Sequence, residues 1–227
     1  METATLVKSY PNTKNLEFYA DYVTKLDSIC ENLPDFAITL DPVEKMLDAV
    51  SMAKANLLIS VAVHPAWEWC LQIPGNNQVT MAKILGHLRF WPPESNEIKQ
   101  STEKPRWAHS RAAALMFCGF GTFEDYDIKR SSKDHNSRLK SLIYDQVKKF
   151  VISESKYRSF YESEKTKFLN QIANEDAHAA ALKSTAMLFI NHLWEVTRTD
   201  VGLEIYPIYE NLRPNEEFIN PMNMIQN

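Results

Sequence analysis

Glycine is scarce, at 5 of 227 residues, against a usual share of about 7%. Tight β-turns draw on glycine for backbone with positive φ. The scarcity therefore argues against a turn-rich all-β architecture and for helices joined by few loops. Cysteine is rarer still. Cys30, Cys70 and Cys118 are odd in number, far apart, and in no CxxC or Cys/His spacing. That excludes a disulfide framework and leaves reduced, buried thiols of a cytoplasmic-type protein.

Long apolar runs are missing as well. The longest, Ala55 to Val63, is interrupted by Asn56 and Ser60 and stops at His64-Pro65. A bilayer-spanning helix takes about 20 residues, so no membrane partner is expected. Met1 to Lys8 lack a basic stretch followed by an apolar one, so no secretory signal is expected either. A general basic excess is absent, because the formal net charge is −4. A uniformly basic nucleic-acid binder is thereby excluded, but a local basic patch is not. There is no GxSxG, P-loop or GxGxxG motif, and Gly119-Phe120-Gly121 is too short to cradle phosphate.

What is present is a globular balance of 44% hydrophobic and 24% charged residues with helical spacing. Leu16, Tyr19, Val23, Leu26, Cys30 and Leu33 step by three and four, which is one face of an amphipathic helix ended by Pro34. Asp41-Pro42-Val43-Glu44 starts a second helix, with Asp41 as cap and Pro42 in its first turn. Near Leu57 and Leu58 this helix is apolar on almost every side, which predicts a central position in the core. A short aromatic segment, Ala66 to Ile73, leads to a turn at Pro74-Gly75-Asn76-Asn77. Further helices are predicted over Val79–Trp91, over Arg106–Phe117 opened by Pro105, and from Asn136 or Ser137 to Phe150. Ser163 to Arg198 reads as one long helix or two collinear ones, with small residues at Ala177–Ala181 for close packing. The expected fold is all-α, a single domain of six or seven helices. A core over 15–199 lies between an N-terminal arm, 1–14, and an extended C-terminal arm, 200–227.

The C-terminal arm has Pro207, Pro214 and Pro221 at seven-residue intervals. Proline inside a helix costs about 3 kcal/mol, so no continuous helix crosses this stretch. Yet it holds Ile205, Tyr206, Ile208, Tyr209, Leu212, Phe218, Ile219 and Met222. Such apolar surface is unfavourable in water, so the arm must lie on a folded body. That body is either its own domain or a neighbouring copy, which would make a homo-oligomer.

Residues 129–149 hold seven basic against two acidic side chains, a surplus of five. Either this is a solvated helix face, or Lys and Arg here displace counterions from a nucleic-acid backbone. In the second reading Arg106, Arg111, Arg130, Lys133, Arg138 and Lys140 contact the phosphates of a single strand, and Phe120, Phe123 and Tyr126 offer stacking faces. No RNP signature or GxxG loop accompanies them. Helical core, docking arms and basic strip together resemble, in architecture only, the coat proteins and nucleoproteins of filamentous assemblies.

Catalytic groups are sparse. Glu175 and His178 form a single ExxH step, and di-iron bundles need two. His178 and His192 are fourteen residues apart, about 21 Å along a helix, too far to share one ion. No metal or cofactor is expected. The first expectation is a non-enzymatic, self-assembling, nucleic-acid-backbone-binding protein of the cytoplasm. The alternatives are a helical enzyme with a tryptophan-lined pocket using His178, Glu175 or His64, and an adaptor whose arm or 92–104 loop recognises another protein.

Overall fold

The computed structural model describes residues 13–31, 41–88, 110–121, 137–200, 202, 205 and 219–225. Their fold is all-α, with no strand among the described residues. The helices are α1 (Thr13–Glu31), α2 (Asp41–Val61), α3 (Trp67–Leu71), α4 (Gln78–His87), α5 (Arg111–Phe117), α6 (Ser137–Ile152), α7 (Lys156–Leu169) and α8 (Asn174–Asp200). A short 3-10 turn, Pro221–Met224, follows. The N-terminal arm to residue 12, the 92–104 loop and Pro105 lie outside the described residues.

Helices α1, α2 and α4 pack on one another. Of the predicted stripe on α1, Val23 is in the core and Leu26 is half-buried against it, and Ala20, which is not of the stripe, is buried beside them. Two carboxylates of α1 add what the stripe does not foretell. Asp27 pairs with Lys54 of α2 at 2.6 Å and with the buried Lys83 of α4. Asp21 pairs with Arg138 of α6 at 2.6 Å and stands 3.6 Å from His87 of α4. Burial pushes the Asp27 carboxyl up, but hydrogen bonds from Lys54 and Lys83 outweigh it and hold the group below its ordinary value.

The central position expected of α2 is not found. Val50, Ala53, Leu57 and Val61 face α1 and α4, while Met52 and Ile59 remain 68% and 72% exposed. Among the described residues the helix has partners on one side only, so its apolar residues outnumber the positions these neighbours cover.

Helix α4 joins the two halves of the molecule. Every residue from Met81 to Leu88 is buried, between α1 and α2 on one side and α6 on the other. The turn before α4 holds Gly75 at φ +79, against Ser153 and the Lys149 carbonyl of α6. A side chain there would strike both. Gln146 of α6 clamps the same turn: its Nε2 donates to Gly75 O at 3.1 Å and its Oε1 accepts from Asn77 N at 3.2 Å. The face predicted for α6, namely Leu139, Leu142, Ile143, Val147 and Phe150, is buried throughout.

Three helix limits differ from expectation. Helix α4 ends at His87, with Leu88 at its C-cap, and not at Trp91. Helix α5 begins at Arg111, because Ser110 is extended at φ −156 and its hydroxyl accepts from Ala113 N at 3.0 Å. The stretch 163–198 is neither one helix nor two collinear ones. Phe168 O accepts from Gln171 N and Ile172 N, closing a turn, and α8 folds back along α7. Ala177 and Ala181, both fully buried, are the small residues at that contact. Helix α8 also packs on α5 and α6 and is the spine of the C-terminal half. Gly202, at φ +71, turns the chain away, its N–H donating to Thr199 O at 3.1 Å.

Candidate docking site for the C-terminal segment

The last described segment, Ile219 to Ile225, lies on its own body, where the 3-10 turn contacts α7 and α8. Its shape is local in origin. Pro221 enters the turn with its fixed φ, and the Asn220 side chain accepts from Met222 N at 2.8 Å. Asn223 N then donates to Asn220 O at 2.9 Å. This turn sends Pro221, Met224 and Ile225 inward, while Met222 stays 58% exposed.

The receiving surface is aromatic and comes from four helices. Trp69 of α3 stacks on Phe189 of α8 with centroids 6.4 Å apart, and meets the His192 ring edge-on at 6.4 Å. Tyr157 of α7 stacks on Phe150 of α6 at 5.0 Å and meets Phe189 edge-on at 5.8 Å. Two polar atoms of this surface reach the segment's main chain. Trp69 Nε1 donates to Pro221 O at 3.1 Å, and His192 Nε2 donates to Ile219 O at 2.8 Å.

These partners fix the state of His192. A carbonyl oxygen only accepts, so Nε2 carries the proton. Nδ1 of the neutral ring then accepts from Tyr157 OH at 2.8 Å. Burial pushes the imidazole down to about 4 from 6.5, against the bond to Ile219 O, and Arg111 adds to the fall. The Tyr157 hydroxyl is raised well above 10 by burial. Both groups are thus held neutral, as a contact to an uncharged peptide requires.

The structure distributes the residues singled out in the sequence unevenly. Of the arm, Ile205 and Ile219 are half-buried against the core. Tyr206, Ile208, Tyr209, Leu212 and Phe218 lie outside the described residues, as do Arg106, Arg130 and Lys133. Arg111 is buried, its Nη2 2.7 Å from Glu195 Oε2 and its guanidinium 5.4 Å from the Trp194 ring. Burial pushes the Glu195 carboxyl up against the pull of Arg111. Arg138 bridges α6 to Asp21 of α1, and Lys140 Nζ lies 5.6 Å from the Phe120 ring.

The acid/base candidates have structural partners. His64 Nε2 donates to Leu88 O at 3.2 Å and its Nδ1 accepts from Ala66 N at 3.1 Å, so it braces the start of α3 against the end of α4. Burial pushes that ring down to about 4. His178 Nδ1 meets Tyr161 OH at 2.5 Å across α7 and α8, and Glu175 is exposed. Trp67, Trp69 and Trp194 are packed in the core. Among the described residues, no three His, Cys, Asp or Glu side chains gather to hold a metal ion. No described helix is long and apolar enough to cross a membrane.

Trp69, Tyr157 and His192 were not singled out for docking from the sequence. The available signal was a histidine on the apolar face of a helix, three residues after Phe189. Comparison with family models, curated proteins and solved structures finds no match.

Proposed function

We propose that this chain is a non-enzymatic helical protein that self-associates by exchanging its C-terminal segment between copies. The observation behind the proposal is the seat of Ile219–Ile225, held by Trp69 and His192 through main-chain carbonyls. Carbonyl contacts and a few apolar side chains recur identically on every copy, so a neighbour's segment fits as the chain's own does.

Chain length supports exchange. His192 precedes the end of α8, Asp200, by eight residues, about 12 Å of helix. The connection from Asp200 to Ile219 extends to as much as ~60 Å. So much chain is not needed to return one's own segment to α8, and it suffices to reach another body. Pro207 and Pro214 within it disfavour a regular element that would shorten the reach. A tether of this kind gives the chain's own segment an effective concentration in the ~mM range. Exchange therefore grows where copies are crowded.

The nucleic-acid part of the sequence expectation gains less support. Its described members, Arg111, Arg138 and Lys140, are all engaged by other residues of the chain. Self-association is accordingly the part to test first. Light scattering on the eluting full chain, concentrated stepwise, is expected to show a dimer fraction that rises with concentration. The same chain lacking residues 219–227 should remain monomeric. A full-length chain that is monomeric at every concentration, or a truncated chain that dimerises as readily, overturns the proposal.

A further inference from the structure

We propose that His192 makes the docked C-terminal segment acid-labile, a proton taken up at its Nδ1 releasing Ile219–Ile225 from the body. This rests on the docking site used in the reading above, but not on exchange between copies.

In the docked state both ring nitrogens are occupied: Nε2–H donates to Ile219 O, and Nδ1 accepts from Tyr157 OH. Protonation turns Nδ1 into a donor. The Tyr157 oxygen must then accept, and its own proton is displaced into an apolar surround of Phe150 and Phe189. Among the described residues, no neighbour compensates the new charge. From α3 the ring faces Trp69, and beyond it lies Cys70, a buried thiol that burial keeps protonated. From α5 comes Arg111, a like charge. On α8 itself, Glu195 is committed to Arg111. From α6 only the Phe150 ring approaches, by way of Tyr157. The remaining face is covered by the segment.

Departure of Ile219 and Pro221 opens that face to water, where an imidazolium is readily solvated. The sign follows by linkage. The docked ring is held near 4 and the undocked ring returns toward 6.5. Between these values the undocked state binds the extra proton, so acid favours undocking. Docking strength is complete above about 6.5, falls as pH drops toward about 4, and changes no further below that. Over the whole window the docking equilibrium shifts by on the order of 100-fold.

His64 provides the contrast. It too is buried and held near 4, but its carbonyl partner, Leu88 O, belongs to the body. Its protonation opposes the whole fold, so the test must separate local release from global unfolding.

Carbon-13 methionine-methyl NMR on the full chain does so, because Met224 is 3% exposed, Met222 is 58% exposed and Met81 is fully buried. On titration from pH 7.5 to 4.5, the Met224 methyl is expected to move toward the exposed position of Met222 while Met81 keeps its native shift. The His192 ring resonances should titrate with the same midpoint. His192→Gln, which keeps a donor but has no proton to gain, should hold Met224 docked across the range. The idea is overturned by a Met224 signal that stays docked, by Met224 and Met81 moving together, or by an unchanged midpoint in His192→Gln. Should that variant fail to dock at neutral pH, coincidence of the wild-type His192 and Met224 midpoints decides, and non-coincidence overturns. A chain that never self-associates would sink the exchange reading and leave this titration standing, so the two failures are distinguishable.

Discussion

In the N-terminal half, Asp21 and Asp27 of α1 meet cationic side chains from three other helices. At the seat of the last segment, Trp69 and His192 instead direct their donors at main-chain carbonyls. Both arrangements satisfy polar groups, but they respond differently to separation. Pulling α1 away leaves Lys83 as a charge among apolar neighbours, so helix and bundle are lost together. Pulling the last segment away lets water reach His192, Trp69 and the two carbonyls, each of which water satisfies. The first half is therefore a cooperative body, and the segment opens by itself at lower free energy.

The strongest way to break this comparison is Asp27→Ala. The Lys83 side chain is 9% exposed and would be left with no carboxylate beside it. Unfolding free energy is expected to fall by about 3 kcal/mol, the low end for severing a buried pair, because Asp27 retains some contact with solvent. Urea denaturation measures it, and a fall below about 1 kcal/mol would put Asp27 among ordinary surface pairs. The pH dependence has a fixed sign. The Asp27 carboxyl lies below its ordinary 3.8, so its contribution is complete above that value. It disappears as pH falls through the lower, folded value.

Trp69→Phe sharpens the comparison from the other side. The ring face against Phe189 is preserved, but the donor to Pro221 O is lost. One neutral hydrogen bond contributes about 0.5–1.5 kcal/mol. The expected result is a segment undocked several-fold more often, read from the Met224 methyl, with the urea midpoint of the body almost unmoved. A body destabilised by as much as the segment would mean that the two are one cooperative unit.

The sequence makes one of these regions far more legible than the other. Periods of three and four foretell the buried face of α6 and the burial of Val23 on α1, and the proline spacing foretells that the arm needs a surface. Such patterns report which residues avoid water, and that is the larger part of what fixes helices. They do not report tertiary polar partners. Asp21 and Asp27 read as exposed charges of an amphipathic helix, and only the approach of Lys54, Lys83 and Arg138 from other helices gives them partners. His192 and Trp69 are 123 residues apart, so nothing local joins them. The apolar run of α2 misleads for a related reason: composition gives its hydrophobicity, but the number of neighbouring helices decides how much is covered. The break at 170–173 carries no proline or glycine, and that is why α7 and α8 read as collinear.

The smallest expected effect concerns Arg138, where the two regions' logics meet on one side chain. Its sequence reading was a phosphate contact, and its structural position is an ion pair with Asp21, the side chains 40% and 38% exposed. A pair this exposed contributes at most about 0.5–1 kcal/mol, so Arg138→Ala should lower stability by no more than that. The same variant weighs the two readings. A phosphate that used Arg138 would have to displace a carboxylate 2.6 Å away. Affinity for a single-stranded oligonucleotide, if the chain has any, is therefore expected to survive Arg138→Ala. The slope of log affinity against log salt should be unchanged too, because no counterion-releasing contact is removed. A slope that falls by about 0.7, one single-strand phosphate contact, would show that Arg138 leaves Asp21 for the backbone. The carboxylate of α1 would then be a place-holder for a polyanion instead of a fixed part of the body.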